Sequence, residues 1–185
     1  MSRPDAQQGR PEATAPAGSR GPSESFDESV PRLGLEDLSV GQKFMTLERT
    51  IREEDIVSFA TDFDPQPFHL DPAAATKTYF RGLAGSGWHI GALTMGLLVT
   101  SGLPLAGGII GAGAEIRWPS ASRPGDVLHV EVTVMDITPS RSKPDRGIVS
   151  IDATTVTRQG LVRQRMVAKL LVFRKSHPTQ QSVSS

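Results

Sequence analysis

One apolar segment, residues 88–99, limits the folds open to this chain more than any other part of the sequence. It reads WHIGALTMGLLV, and Gly91 and Gly96 permit close backbone approach. A helix that is apolar nearly all round lies in a protein core and is covered on several sides. The segment is shorter than the ~20 residues that span a membrane. We therefore predict a helix from about Ser86 to Thr100 that the other elements enclose.

The segments on either side of this helix predict an antiparallel sheet. Apolar and polar residues alternate along residues 128–134 and 149–154, which is the pattern of half-buried strands. Further strands are predicted at residues 109–118 and 161–173, and a first strand at residues 43–51. An antiparallel sheet that curls around one long buried helix is an α+β arrangement.

Two shorter helices are predicted before the long one. Thr50 and Glu53 have the spacing of a capping box, so a helix is expected to follow them and to end near Thr61. The Asp-Pro pair at residues 71–72 resembles an N-cap followed by a first-turn proline, which predicts a short helix over residues 73–79.

Composition divides the chain into one domain with two tails. Residues 1–30 and 176–185 are rich in small and polar residues and cannot bury enough surface to offset their chain entropy, so we predict that both are disordered. Residues 31–175 remain for a single domain, which is long enough to bury one hydrophobic core.

Composition also excludes several classes of function. Lys+Arg and Asp+Glu are both 20, so the net charge is zero and no nucleic-acid partner is indicated. The chain has no cysteine, which excludes a thiolate site. Its four histidines are dispersed, so no metal is expected. Because neither a signal peptide nor a spanning helix is indicated, we expect a cytoplasmic protein without a membrane partner.

The strongest indication of chemistry is the segment from Asp64 to Asp71, which reads DPQPFHLD. Asp64 and His69 are five positions apart, and Pro65 and Pro67 restrict the backbone between them, so the carboxylate and the imidazole should keep a fixed relation. Water held between two such groups can be deprotonated as it attacks a substrate. The alternative is a structural loop that caps the next helix, a role that we assign to Asp71.

The start of the long helix is the second candidate. Unpaired backbone N–H groups at Ser86-Gly87-Trp88 can stabilise a developing oxyanion, and Gly87 leaves room for a carbonyl group. Ser86 is equally suited to be an ordinary N-cap, and the two roles are compatible. His89 is expected to pack in the core and Arg117 to be a surface charge, so neither is assigned a chemical role.

Together these motifs resemble the MaoC-like hydratases and dehydratases, a family that includes (R)-specific enoyl-CoA hydratases. The family pattern has a helix ending in F-A, then D-x-N-P-x-H-x-D, F-G-x-x, and H-G-M at the start of the central helix. The matching segments here are Phe59-Ala60, residues 64–71, Phe80-Arg81-Gly82-Leu83 and Ser86-Gly87-Trp88. The chain departs from the pattern at Gln66, where asparagine is usual, at Ser86, where histidine is usual, and at Met95, where some members have serine.

The resemblance implies a hot-dog fold, in which an antiparallel sheet wraps around the central helix. It implies Asp64 and His69 as the catalytic pair. It implies that Ser86, Gly87, Trp88 and Met95 bind the substrate. The implied reaction is reversible hydration of an enoyl thioester of CoA or of an acyl carrier, without a cofactor beyond the CoA of the substrate. A homodimer or a higher homo-oligomer, with sheets joined edge to edge, is also implied.

Two other functions remain open. A hot-dog acyl-CoA thioesterase would also use a carboxylate and a helix-end amide, but it would not need His69. A non-catalytic acyl-thioester-binding protein would tolerate substitution of both Asp64 and His69. The presence of both residues favours the hydratase.

Overall fold

The computed structural model describes residues 31–175. The helical elements are a 3-10 turn at Leu35–Asp37, α1 (Glu53–Phe63), α2 (Pro67–Leu70), α3 (Pro72–Ala75), α4 (Gly87–Leu97) and a π-helical turn that extends α4 over Leu98–Gly102. The strands are β1 (Lys43–Met45), β2 (Arg49–Thr50), β3 (Ile110–Arg117), β4 (Val127–Pro139), β5 (Arg146–Thr157) and β6 (Val162–Phe173).

The strands form one antiparallel sheet. Within the described residues their order is β1-β4-β5-β6-β3, and β2 also pairs with β4. Strand β3 follows α4 in the chain but pairs with β6, the last strand. The chain therefore crosses from one side of the sheet to the other after α4, and α4 packs against both β4 and β6.

The main core lies between α4 and the sheet. The inward side chains of β4, Val130, Val132 and Val134, are each at most 1% exposed, and they contact Leu97 and Leu98 at the end of α4 within the same apolar cluster. Burying each such side chain contributes about 1.5–3 kcal/mol, so this layer is the main source of stability. The predicted α+β fold, with a sheet around the central helix, is confirmed.

The start of the fold differs from the prediction. Residues 43–51 form two short strands, because Thr46 turns inward and its hydroxyl accepts a hydrogen bond from the Val130 N–H at 2.9 Å. Thr50 lies in β2, paired with Val127, so the predicted capping box is wrong. Helix α1 begins after Arg52, which forms no side-chain cap.

The helix ends also differ. Helix α1 continues to Phe63, two residues past the predicted end. The N-cap at Asp71 is confirmed, since its Oδ1 accepts from the N–H groups of Ala73 and Ala74 at 2.7 and 3.2 Å. The helix that it caps, α3, is shorter than predicted, and α2 occupies a segment that we expected to be loop.

The predicted tails, residues 1–30 and 176–185, lie outside the described residues. Between residues 31 and 175, no helix has both the length and the apolar character that crossing a bilayer requires. In that same range, no group of three or more His, Cys, Asp or Glu side chains is arranged to hold a metal ion.

Candidate active site

The segment between α1 and α3 fixes Asp64 and His69 relative to each other. Asp64 ends α1, and its N–H donates to the Ala60 carbonyl oxygen at 2.9 Å. Pro67 then begins α2, which carries His69 on its third residue. The result is a separation of 3.3 Å between Asp64 Oδ2 and His69 Nε2. The fixed relation predicted from the two prolines is therefore present in the structure.

The second ring nitrogen of His69 determines the protonation pattern of the imidazole. His69 Nδ1 lies 2.7 Å from the Ala84 carbonyl oxygen. A carbonyl oxygen only accepts hydrogen bonds, so Nδ1 carries the proton. In the neutral ring Nε2 is then unprotonated, and this atom faces Asp64. Since the His69 side chain is 6% exposed and that of Asp64 is 18% exposed, two proton-accepting atoms face each other at the edge of the core.

Several donors stabilise the ionised form of Asp64. Burial is the largest single influence and by itself would raise the pKa of Asp64. Hydrogen bonds from Ser86 and Gln66, together with the attraction of the His69 imidazole when it is protonated, outweigh it, so the pKa of Asp64 is lowered overall. The Gln66 bond is short, with 2.6 Å between Gln66 Nε2 and Asp64 Oδ1. Asp64 is therefore a carboxylate at neutral pH.

Replacing Gln66 with leucine should raise the pKa of Asp64, because the amide donor is lost. The lowered pKa means that ionised Asp64 favours folding above its unfolded-state pKa of ~3.9, and that this contribution is lost as the pH falls through the folded-state value. In Gln66→Leu the folded-state pKa should lie closer to the unfolded-state value, so the contribution should be smaller and its loss should be complete at a higher pH. Carboxyl-carbon NMR titration of Asp64 measures the shift, with the exposed Gln159→Leu as control. An unchanged Asp64 titration in Gln66→Leu would contradict this explanation.

The N-terminus of α4 faces the same cavity as His69. Ser86 is the N-cap, and its Oγ accepts from the Trp88 N–H at 3.2 Å. Gly87 is the first helical residue, and its N–H has no hydrogen-bond acceptor within residues 31–175, as is usual at a helix start. A cavity of about 280 Å³, here called the catalytic pocket, is lined by Gln66, Phe68, His69, Phe80, Gly87 and Trp118, among others. His69, the buried member of the pair, and the free N–H of Gly87 thus border one space.

The other predicted substrate-binding residues lie apart from this pocket. Ser86 is 1% exposed and is occupied by its bonds to Asp64 and the helix backbone. Trp88 is 62% exposed on the outer face of α4. Met95 is two turns further along and lines a second, apolar cavity of about 250 Å³, together with Leu98, Ile109 and Leu170. Their binding roles remain predictions.

Two residues without an assigned role lie where they were expected. His89 is buried and stacked on Phe59 with 4.8 Å between ring centroids, and burial lowers its pKa. Arg117 is exposed and pairs with Glu115.

The structure also reveals a wall of the pocket that the sequence did not indicate. Trp118 lies directly over Gly87, so that a Cβ atom on residue 87 would be 2.7 Å from the Trp118 ring. The Trp118 Nε1–H donates to Gln164 Oε1 at 2.9 Å. The buried amide of Gln164 donates in turn to Thr94 Oγ1 at 3.1 Å, and Thr94 contacts Thr155 Oγ1 at 2.7 Å. This chain of hydrogen bonds fixes the Trp118 ring.

The fold agrees with comparisons to known proteins. A sequence model of the MaoC-like domain matches residues 37–157. The uncharacterized protein YdeM from Bacillus subtilis is 32% identical over 124 residues, which are 65% of this chain and 85% of YdeM.

Two solved structures resemble this fold in particular. The MaoC-like dehydratase from Rhodospirillum rubrum has 57% sequence identity and a TM-score of 0.77, over 79% of this chain and 99% of that one. The (R)-hydratase PhaJ1 from Pseudomonas aeruginosa has 28% identity and a TM-score of 0.64, over 78% of this chain and 88% of that one. This chain therefore belongs to the MaoC-like dehydratase family and has its hot-dog fold.

Proposed function

We propose that the protein is a hydratase/dehydratase that adds water reversibly across the 2,3-double bond of an enoyl thioester. The observation that carries this proposal is the pair of atoms Asp64 Oδ2 and His69 Nε2, 3.3 Å apart beside a pocket that His69 shares with Gly87. Both atoms can accept a proton from one bound water molecule. Family membership and the likeness to an (R)-hydratase support the same reaction class.

The reaction uses each part of the site once. A water molecule held by Asp64 and His69 loses a proton to the pair while its oxygen bonds to C3 of the substrate. The electrons of the double bond move toward the thioester oxygen, where the Gly87 N–H stabilises the developing charge. The pair then returns its proton to C2. One π bond is consumed, one C–O and one C–H bond form, and the side chains end in their starting state.

The second cavity is suited to the acyl chain. Its lining is apolar and includes Met95 and Leu98. Met95 lies eight positions after Gly87 in α4, which is about 12 Å along the helix axis. An acyl chain with its thioester at Gly87 would lie along α4 and reach this cavity, as the resemblance implies.

The proposed reaction is tested by following two signals during incubation with a panel of enoyl-CoA substrates. The absorbance of the conjugated enoyl thioester should decrease as water is added, and a thiol reagent should detect no free CoA. Loss of the band accompanied by an equal amount of free CoA would indicate a thioesterase instead, because hydrolysis also consumes the conjugated thioester. Tight binding of every substrate without either signal would indicate a binding protein.

We also propose that the protein forms a homodimer through β3. This strand pairs with β6 on one side, and its side chains are largely exposed. Trp88 and Met95, two large apolar side chains of α4, are also exposed. A second copy joined along β3 would extend the sheet. Sedimentation equilibrium should give a mass of at least twice the chain mass of 19.8 kDa. A purely monomeric protein at micromolar concentration would contradict the proposal.

A further inference from the structure

An open groove continues outward from the catalytic pocket. It has a volume of about 540 Å³, and four of its lining residues, Phe80, Trp118, Ser120 and Ala121, also line the catalytic pocket. The groove is therefore the direct extension of the space in which the thioester would react. We call it the outer groove, and its remaining lining residues are Thr78, Tyr79, Arg81, Pro119 and Arg123.

The outer groove carries positive charge that no acid compensates. Its lining includes Arg81 and Arg123 but no carboxylate among the described residues. No ion pair joins either arginine to an acid within residues 31–175. By contrast, Arg163 of the catalytic pocket is paired with Asp126, with its Nε 2.9 Å from Oδ2. In a chain of zero net charge, this groove is therefore a local concentration of positive charge, which attracts anions.

The side chain of Arg123 is fixed by hydrogen bonds, whereas that of Arg81 is exposed. The Arg123 guanidinium donates to three carbonyl oxygens, those of Phe80, Gly82 and Leu83, at 2.5 to 2.9 Å. Its charge is therefore fixed beneath the turn that carries Arg81. Arg81 is exposed and has a φ of 52°, the one positive φ of a non-glycine residue in the described part of the chain. Such backbone strain persists where the surrounding structure imposes it and is often found at binding sites.

An exposed aromatic residue completes the groove. Tyr79 is 93% exposed, and its ring contacts Phe80 edge-on with 5.6 Å between centroids. Its ring faces are thus accessible. A flat aromatic ring beside two arginines is the combination that binds a phosphate next to a heterocyclic base, since arginine binds phosphate oxygens and the ring stacks on the base.

We propose that the outer groove is a phosphate subsite for the carrier arm of the thioester substrate, with Arg81 and Arg123 facing the phosphates. This proposal rests on the proposed function, because the arm is the part of the substrate that must leave the catalytic pocket. Two carriers share the chemistry: the nucleotide of coenzyme A, and a phosphopantetheine arm attached to a carrier protein. The exposed face of Tyr79 favours coenzyme A, which alone of the two has a base to stack.

The test compares three thioesters with the same crotonyl group: crotonyl-pantetheine, crotonyl-4′-phosphopantetheine and crotonyl-CoA. The first has no phosphate, the second has one, and the third adds the nucleotide. Arg81→Gly removes the charge and suits the positive φ, so the fold should persist. It should raise KM on the order of tenfold or more for the two phosphate-bearing substrates and leave crotonyl-pantetheine unchanged. Arg81→Lys should restore part of the loss.

A matched control shows whether the effect is specific to the groove, and a second variant tests the stacking role of Tyr79. Arg117→Ala removes another exposed arginine, one that is paired with Glu115 outside the groove, and should change no KM value. Tyr79→Ala should raise KM for crotonyl-CoA only. If Tyr79→Ala has no effect while the Arg81 effect persists, the phosphate subsite serves the arm of a carrier protein. Equal effects of Arg81→Gly on all three substrates, or no effect on any, would overturn the proposal.

A binding measurement separates failure of the groove from failure of the reaction. Adenosine 3′,5′-bisphosphate should bind the wild-type protein in calorimetry, more weakly at high salt, and at least tenfold more weakly to Arg81→Gly. If no thioester is hydrated but this difference persists, the proposed reaction fails and the phosphate subsite stands. If the protein hydrates crotonyl-CoA but does not bind the nucleotide, and if Arg81→Gly leaves KM unchanged, the phosphate subsite is contradicted while the proposed reaction stands.

Discussion

Replacing Asp64 with asparagine should lower kcat/KM for enoyl-thioester hydration by about 10²–10⁴-fold, the usual contribution of a general acid or base. Asparagine keeps the shape of the side chain but cannot accept a proton. His69→Ala should cause a loss of similar size, since it removes the atom 3.3 Å from Asp64 Oδ2. The double variant should be little worse than either single one, because residues that act as a unit are not additive.

The control for these variants is Asp62→Asn. Asp62 is an exposed carboxylate two residues before Asp64, and the carboxylate that lies 3.3 Å from His69 Nε2 is that of Asp64. It should keep wild-type activity, and circular dichroism should show that all four proteins are folded. Activity within threefold of wild type in Asp64→Asn or His69→Ala would contradict the assignment. Thiol release that requires Asp64 but survives His69→Ala would favour a thioesterase.

Gly87→Ala should lower kcat by about 10²–10³-fold, the cost of losing one oxyanion donor. The added Cβ would lie 2.7 Å from two atoms of the Trp118 ring, closer than packed atoms approach. The ring cannot easily move, because its Nε1–H is bound to the buried Gln164. The first turn of α4 must therefore shift, and a displacement of even 1 Å between substrate and catalytic groups can cost 10²-fold.

Two further variants test the physical reason for this loss. Gly91→Ala makes the same change on the same helix, but its Cβ would meet its nearest atom, Gln164 Oε1, at an ordinary 3.6 Å. It should leave kcat nearly unchanged. Gly87→Ala combined with Trp118→Leu should be less impaired than the product of the two single effects, because the smaller side chain relieves the clash. A fully active Gly87→Ala would show that the helix start does not contribute to catalysis.

The fold could be predicted because its main elements have clear hydrophobic periods. The alternation along β4 and the all-round apolar character of α4 each specify how much of the element is buried. The wrong predictions concerned the bounds of single strands and helices. Thr46 interrupts the first strand through a hydrogen bond to Val130, a residue 84 positions away, and no local pattern reports such a contact.

The candidate site could be predicted in part, because two of its residues are near neighbours in the sequence. Asp64 and His69 are close in sequence and separated by prolines, so their proximity is a local property. Trp118, which directly follows β3, lines the pocket and is bound by Gln164 of β6, and their hydrogen bond joins residues 46 positions apart. Ala84, whose carbonyl oxygen fixes the His69 tautomer, acts through its backbone, which the side-chain pattern does not reveal. The catalytic roles of Asp64 and His69 remain predictions.

The central claim is that Asp64 and His69 direct one water molecule to C3 of an intact enoyl thioester. Incubating crotonyl-CoA with the protein in ¹⁸O-labelled water, followed by mass spectrometry of the product and its fragments, tests it most directly. We expect one ¹⁸O atom on C3 of a hydroxyacyl-CoA whose thioester is unbroken, and labelling at least 10²-fold slower with Asp64→Asn or His69→Ala. Label in the carboxylate of a released acid, together with free CoA, would contradict the account.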